Sequence, residues 1–399
     1  MIRTRNTAAA AALVALSLSL PLAAAPTAFA APSAASVTSV TSWPSAAARA
    51  LGADPQGMQL ELPRPTGPYA TGRDTLHLTD TGRQDPWVPA AGDRELMLSL
   101  YYPARRGGGS GAPYMTSEEA RLLAEAQGRN VPAELVSATR THAVPGARPA
   151  PGRHPLIVLS PGFSVGRATL TSLAEDLASR GYVVATVDHA YESVGTLFPG
   201  GRMLTCAACK QKYEDVVKVR AKDLSFVLDE LTGHRSAWRH ARMIDRKRIG
   251  MAGHSIGGAG TAATMAADRR VRAGVNLDGT FFAPVPDSGL GGRPFLMLGT
   301  ESFHSPGSVD DWDGDWARLD GWKRWLTVTG SGHYTFTDLP VLAGQLGMTD
   351  PKVPLPGDRS GQITRDYVGA FFDQHLRGIP QPLLDGPTPG NPEVVFRNP

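Results

Sequence analysis

Cysteine is nearly absent from this chain of 399 residues, which holds only Cys206 and Cys209. A zinc site would need further thiol or imidazole ligands nearby, and a redox role would need a thioredoxin-like context, so the pair supports neither. In an exported protein, two cysteines at this spacing favour a small loop disulfide, and two free thiols are the alternative.

An excess of charge of either sign is also missing. The chain has 40 Lys and Arg residues against 37 Asp and Glu residues, a formal net charge of +3 at pH 7. A nearly neutral protein has no general electrostatic attraction to nucleic acid or acidic lipid, so nucleic acid is not expected as a partner. No group of carboxylates or imidazoles shows the spacing of metal ligands, and no metal or other cofactor is expected.

Long hydrophobic runs are confined to the first thirty residues, which have the pattern of a secretory signal peptide. Arg3 and Arg5 precede an apolar run over residues 8–25, and Ala28-Phe29-Ala30 forms a small-x-small cleavage site. A membrane anchor is the alternative, but the run is short and rich in alanine, and no later stretch reaches membrane-spanning length. We therefore expect a secreted protein cleaved near Ala30. Its charge falls from +3 to +1 because the leader carries two arginines and no acids.

Beyond the leader, residues 31–50 are rich in Ala, Ser and Thr and are expected to be poorly ordered. Residues 51–399 are long enough for one large domain with a buried core, and no internal repeat divides them.

Short apolar segments alternate with helical segments through most of this domain. Strands are predicted over residues 96–101, 156–159, 182–187, 248–252, 271–277, 295–298 and 325–328. Helices are predicted over residues 116–126, 167–180, 212–233, 256–267 and 335–347, with a last amphipathic helix that carries Ile363, Tyr367, Phe371 and Phe372. The pattern indicates an α/β protein with a mostly parallel central sheet covered by helices on both faces.

Gly253-His254-Ser255-Ile256-Gly257 is the motif that carries chemistry. The G-x-S-x-G pattern is weak alone, but here it follows an apolar strand and precedes a helix rich in small residues. That is the setting of a nucleophile elbow in the α/β-hydrolase fold, where the glycines relieve crowding at a sharp turn. The alternative is a tight turn with an inert serine.

A serine hydroxyl needs a base to take its proton, and in this fold the order is serine, acid, histidine. Asp278 ends the first strand predicted after Ser255, which makes it the candidate acid. His333 lies farther along the chain, where a glycine-rich turn follows the last predicted core strand, and it is the candidate base. His304 is the rival base, and a place lining the pocket is the alternative for it.

The tetrahedral intermediate requires preorganised N–H donors for its oxyanion. One is expected from the backbone of Ile256, the residue after the nucleophile. The other is expected from the loop Ser160-Pro161-Gly162-Phe163, where Phe163 is chosen because Pro161 has no N–H. An ordinary tight turn is the alternative for this loop.

The chain resembles the plasma-type platelet-activating factor acetylhydrolases from about Pro65 to Gly378. The resemblance rests on Gly67-Pro68-Tyr69, Leu98-Ser99-Leu100-Tyr101-Tyr102-Pro103, Ile244-Asp245-Arg246, Glu301-Ser302-Phe303, and Gly330-Ser331-Gly332-His333 with Phe336 and Asp338. It implies the roles already given to Ser255, Asp278, His333, Phe163 and Ile256. It also implies a calcium-independent esterase that removes short acyl chains from phospholipids.

One departure from that family is that Pro161-Gly162 stands where His-Gly usually precedes the oxyanion residue. Secreted lipases and polyester-cleaving cutinases share the elbow and a related oxyanion loop, and they are the second hypothesis. We expect those enzymes to place the acid farther from the serine than Asp278 is from Ser255, which favours the first. A non-catalytic binding protein on the same scaffold is the third hypothesis, and the complete set of Ser, Asp and His argues against it.

A hydrolase of aggregated lipid also needs an apolar rim for transient contact with a lipid interface. The resemblance places Tyr114, Met115, Leu122 and Leu123 near such a surface. The alternative is that these side chains pack under a loop.

Overall fold

A computed structural model describes residues 58–308 and 312–398. The predicted signal peptide over residues 1–30 and the segment 31–50 lie outside the described residues. Among the described residues, no helix is both long and apolar enough to cross a membrane.

Twelve strands are described, and ten of them form one sheet. Their bounds are β1 Ala70–Gln84, β2 Asp93–Ala104, β3 Val144–Pro145, β4 His154–Ser160, β5 Val183–His189, β6 Thr196–Phe198, β7 Arg202–Leu204, β8 Ile244–His254, β9 Val271–Leu277, β10 Phe295–Thr300, β11 Lys323–Val328 and β12 Val394–Phe396. The order in the sheet is β12-β11-β10-β9-β8-β4-β5-β2-β1-β3, and β6 pairs with β7 in a separate hairpin.

The centre of the sheet is parallel, antiparallel pairs flank it on both sides, and the edge strand β3 pairs parallel with β1. The run β5-β4-β8-β9-β10-β11 is parallel throughout, whereas β2 pairs antiparallel with β1 and β5, and β12 pairs antiparallel with β11. Parallel strands place their carboxyl ends at one edge, so Ser160, His189, His254 and Leu277 all end strands at the same side.

Eight α-helices are described alongside these strands. Their bounds are α1 Ser117–Ala126, α2 Ala133–Ser137, α3 Thr171–Ser179, α4 Tyr213–Thr232, α5 Ile256–Ala267, α6 Asp313–Arg318, α7 Leu339–Gln345 and α8 Gly357–Arg377. As predicted, Thr116 caps α1 in a capping box with Glu119.

The core lies in two layers, one on each face of the sheet. Leu224, Leu228 and Leu231 of α4 pack with one set of strand residues, and α3 and α8 pack with the other. The central strands are buried on both faces, which explains why β4 reads as an unbroken apolar run. The predicted α/β architecture is confirmed.

The sequence pattern missed the long strand β1 and the short strands β3, β6, β7 and β12. Strand β1 lies near the sheet edge and only Thr71, Gly72 and Leu78 of its residues are buried, so its apolar alternation is weak. The predicted helix over 167–180 begins with a 3₁₀ turn and becomes α-helical at Thr171. The predicted helix over 335–347 is shorter, covering Leu339–Gln345.

Candidate active site

The predicted elbow is a sharp turn between β8 and α5. Ser255 has φ 55° and ψ −127°, a conformation that is strained for a residue with a side chain. Glycines permit the turn, because a Cβ on Gly253 would lie 2.1 Å from the carbonyl carbon of Gly257. A Cβ on Gly257 would lie 2.1 Å from the Ser160 carbonyl oxygen. The turn leaves the Ser255 side chain half-buried at the strand ends.

The structure brings together the three residues predicted as the triad. Ser255 Oγ lies 2.9 Å from His333 Nε2, and His333 Nδ1 lies 2.7 Å from Asp278 Oδ2. Asp278 follows β9 and His333 follows β11, so three separate loops after parallel strands supply the set. These distances suit transfer of the serine proton to His333 while Asp278 orients the ring.

Asp278 accepts more hydrogen bonds than the one from His333 that the sequence predicted. It is fully buried, and its Oδ1 accepts the Thr300 backbone N–H at 2.7 Å, the Thr300 hydroxyl at 2.9 Å and His304 Nδ1 at 2.7 Å. Burial alone would raise the pKa of Asp278, but the adjacent His304 and His333 outweigh it and hold the pKa well below its ordinary value. The carboxylate is therefore charged and fully hydrogen-bonded.

His304, the rival base, does not reach the serine. It is 2% exposed, stacks on Trp312 with ring centroids 4.2 Å apart, and contacts the Asp278 oxygen that His333 does not use. Its role as a second partner of the acid was missed. The pairing of β9 with β10, which sets Leu277 opposite Leu298, places the two segments together, and that register is not visible in the sequence.

His254 packs against His333. It is buried, its ring centroid is 4.7 Å from that of His333, and its Nε2 lies 2.7 Å from the His333 carbonyl oxygen. Burial, followed by the neighbouring His333, lowers the pKa of His254 to about 3, so the ring is neutral. The neutral ring donates from Nε2 to the His333 carbonyl and so helps to fix the His333 backbone.

The two predicted oxyanion donors stand on adjoining segments. Ile256 is the first residue of α5, where helical N–H groups lack intrahelical partners, and Phe163 lies on the loop after β4. Within the described ranges, neither N–H donates to a protein backbone acceptor outside regular structure. The loop packs on the elbow, because a Cβ on Gly162 would lie 2.7 Å from His254 Nδ1.

Exposed aromatic side chains surround this part of the surface. The Phe163 and Tyr213 rings lie 5.7 Å apart, and the Tyr213 and Phe282 rings lie 4.8 Å apart. Phe303 lies 6.1 Å from the His333 ring. Tyr213, Phe282 and Phe303 are 36%, 40% and 45% exposed, and Phe282 adopts a strained φ of 50°.

The apolar rim predicted from Tyr114, Met115, Leu122 and Leu123 is wrong for two of its members. Tyr114 is 1% and Leu123 7% exposed, and Met115 and Leu122 are half-buried. The physical reason is that Tyr114 packs with Leu60, Leu62 and Leu342, and that Tyr114, Met115 and Leu123 line a partly open cavity of about 370 Å³ beside α1. No triad residue lines that cavity.

Two further expectations concern cysteine and metal ligands. Cys206 and Cys209 form the predicted disulfide just before α4. The structure also gathers His189, Glu192 and Asp223, whose ligand atoms lie within 4.8 Å of one another, a group that sequence spacing did not reveal. Its two carboxylates are already bound by arginine side chains.

Comparison with known proteins gives a family for this fold and site. A model of the family described as platelet-activating factor acetylhydrolase, isoform II, matches residues 57–200 and 227–355, more than half of the chain. The chain is 29% identical to a probable 1-alkyl-2-acetylglycerophosphocholine esterase from Arthroderma benhamiae, over 84% of this chain and 93% of that protein.

Two other similar proteins are named after different ester substrates. The solved structure of a ferulic acid esterase from Streptomyces cinnamoneus is 47% identical, with a TM-score of 0.77, over 85% of this chain and 99% of that one. A bis(hydroxyethyl) terephthalate hydrolase from Streptomyces coelicolor is 33% identical over 105 residues, 26% of each chain. The likeness to the first of these confirms the predicted fold class.

Proposed function

The chain belongs to the platelet-activating factor acetylhydrolase isoform II family, and from that premise we propose how its residues cleave an ester and which acyl groups they accept. It is a carboxylic ester hydrolase. The observation that carries the proposal is the unbroken hydrogen-bond chain from Ser255 through His333 to Asp278.

In the proposed mechanism, Ser255 Oγ attacks the ester carbonyl carbon while His333 Nε2 takes the hydroxyl proton. The carbonyl oxygen becomes an oxyanion that accepts the N–H groups of Phe163 and Ile256. His333 then gives its proton to the leaving alcohol, and an acyl-enzyme remains on Ser255. Water, activated by His333, attacks the acyl carbon and releases the acid, while Asp278 orients the ring throughout.

The first candidate substrate is an ester with a short acyl chain on a phospholipid-like alcohol. The support is the family itself and a relative whose name specifies a 2-acetyl glycerophosphocholine. Tyr213, Phe282 and Phe303 would then contact the lipid interface, because their side chains are exposed. Tyr114 and Leu123, which the sequence suggested for this contact, are buried. An apolar rim of this kind lets an enzyme dock on aggregated lipid.

The second candidate substrate is an ester of a planar aromatic acid. The observation that favours it is the row of rings Phe163, Tyr213 and Phe282, which begins at the oxyanion residue itself. Aromatic rings at such separations offer edge and face contacts to a further ring. A relative that is named as a ferulic acid esterase supports the same class.

We also propose that the enzyme acts outside the cell. The leader-like pattern of residues 1–30 and the disulfide between Cys206 and Cys209 support this, since such bonds persist in oxidising compartments. Detection of mature protein that begins near Ala31 in the culture medium would test it, and retention of the full-length chain in cells would contradict it.

Kinetics of single variants test the triad. Ser255→Ala and His333→Ala should lower kcat on p-nitrophenyl acetate by about 10⁴-fold or more, because triad residues act as a unit. Asp278→Asn should also be severe, while circular dichroism shows an unchanged fold. Near-normal activity of His333→Ala, with loss in His304→Ala, would show that the base is misassigned.

A rim variant separates the two substrate classes. Tyr213→Ser combined with Phe282→Ser should leave p-nitrophenyl acetate hydrolysis unchanged, because neither residue belongs to the triad. For a phospholipid esterase, the double variant loses activity on short-chain phosphatidylcholine vesicles only. For an aromatic-acid esterase, it raises KM for soluble methyl ferulate. Tyr69→Ser, another exposed aromatic residue, is the matched control.

A further inference from the structure

A second hydrogen-bonded series of serine, histidine and aspartate lies beside the active site. Ser160 Oγ is 3.1 Å from His189 Nε2, and His189 Nδ1 is 2.8 Å from Asp223 Oδ2. The atoms are the same as in the catalytic set, yet Ser160 and Asp223 are 0% and His189 is 2% exposed. An ester cannot reach a serine that is fully enclosed, so the Ser160–His189–Asp223 series has a role other than catalysis.

Arg220 connects this hydrogen-bonded series to the oxyanion loop, residues 160–163. From α4, its Nη1 donates to Ser160 Oγ at 3.2 Å and to the Pro161 carbonyl oxygen, and its Nε donates to Glu192 at 2.8 Å. Burial and then the nearby Arg220 lower the pKa of His189, so that ring is neutral. Its Nδ1–H therefore donates to Asp223 and its Nε2 accepts the Ser160 proton, which leaves the Ser160 lone pairs to face Arg220.

The oxyanion loop is fixed at a second point just beyond Phe163. The Ser164 N–H donates to the Glu192 carbonyl at 3.0 Å, and the Val194 N–H donates to the Ser164 carbonyl at 3.0 Å. Ser164 adopts a φ of 63°, a strained conformation in a residue with a side chain that persists only where the surroundings enforce it. Phe163 thus lies between two anchored residues.

Charges of both signs meet in this cluster. Arg94 binds Asp85, Glu192 and Asp223, Arg83 also binds Asp223, and Arg220 binds Glu192. Buried ion pairs of this kind contribute little net stability, since apolar residues of similar volume often replace them without loss. These arginines also bind the Glu192 and Asp223 carboxylates that would otherwise suit a metal. A structural role in stability alone therefore accounts poorly for the network.

We propose that Arg220 is a positioning residue that holds the Pro161 carbonyl so that the Phe163 N–H points at the oxyanion. The hydrogen-bonded Ser160, His189 and Asp223 keep Arg220 in place. The inference rests on the proposed function, because it needs an oxyanion to be stabilised at Phe163. It assigns to the network an effect on the transition state and none on the binding of the substrate ground state.

The test compares Arg220→Lys with Lys218→Ala, an exposed position on the same helix. Arg220→Lys keeps the positive charge, but its single nitrogen cannot make the hydrogen bonds that Nε and Nη1 of Arg220 make together. Its kcat on p-nitrophenyl acetate should fall about 10–100-fold, approaching the loss of one oxyanion donor. KM should stay within about threefold, and the affinity for a trifluoromethyl ketone, whose tetrahedral adduct carries an oxyanion, should fall in parallel with kcat/KM. Lys218→Ala should match the wild type.

A purely structural role would lower the melting temperature and leave kcat and the ketone affinity unchanged, which would overturn the proposal. If Arg220→Lys fails to fold, the nearly isosteric Ser160→Ala should show the same parallel loss at about 3–10-fold. One equivalent of bound divalent metal in the purified enzyme would also overturn it. Activity that survives in Ser255→Ala would instead refute the proposed function, so the two failures are distinguishable.

Discussion

Replacing Gly257 by alanine tests how tightly the elbow and the oxyanion loop are packed. A Cβ at this position would lie 2.1 Å from the Ser160 carbonyl oxygen and 2.8 Å from that of Pro161, whereas ordinary contact begins at 3.4 Å. Both neighbours are backbone atoms, so the clash cannot be relieved by a side-chain rotation and one of the two backbones must move. The displaced segment carries either Ser255 or the Phe163 N–H.

We expect Gly257→Ala to lower kcat/KM about 100-fold, since a misplacement of about 1 Å at reacting groups costs that much. Overpacking should also reduce the free energy of unfolding by about 1–3 kcal/mol. The assays are initial rates on p-nitrophenyl acetate and urea unfolding followed by circular dichroism.

Gly344→Ala on α7 is the matched control, because its Cβ would meet nothing nearer than 3.9 Å. That variant should keep full activity and melt at or above the wild-type temperature, given that alanine favours a helix over glycine by about 1 kcal/mol. If Gly257→Ala kept kcat/KM within about threefold of the wild type with unchanged stability, the close packing of loop and elbow would be refuted.

Three further predictions concern the acid and metals. His304→Ala should lower kcat about tenfold, because a hydrogen bond to a charged group is worth about 1.5–3 kcal/mol, and an unchanged kcat would mean that His304 does not support Asp278. Because the pKa of Asp278 is depressed in the folded state, its contribution to stability is present above the unfolded value of about 3.9 and is lost as pH falls through the lower folded value. The difference in unfolding free energy between wild type and Asp278→Asn should therefore shrink below about pH 4, and a constant difference down to pH 2 would contradict this. Dialysis against EDTA should leave activity intact, since the triad needs no ion, whereas loss that calcium restores would overturn that view.

Site residues could be predicted from the sequence where a local turn requires a particular residue type. Gly253, Ser255 and Gly257 are readable because the strand, the turn and the helix are contiguous. Asp278 and His333 are readable because each follows an apolar strand, and parallel strands end at one edge of the sheet.

The rest depends on contacts between distant segments. The pairing of Thr300 and His304 with Asp278 follows from the register of β9 and β10, which no local pattern encodes. The buried network around Arg220 joins residues from β4, β5 and α4 that are far apart in the chain. Tyr114 and Leu123 were wrongly assigned to an exposed rim, because apolar residues on or beside a short helix do not reveal whether they face solvent or the protein interior.

Mapping the site of covalent labelling tests the central claim most directly. The wild-type enzyme is treated with a fluorophosphonate probe, which reacts with activated serines, and the labelled peptide is identified by mass spectrometry. We predict stoichiometric label on Ser255, no label in Ser255→Ala, and none on the enclosed Ser160. Label on Ser160, or label and esterase activity that persist in Ser255→Ala, would contradict it.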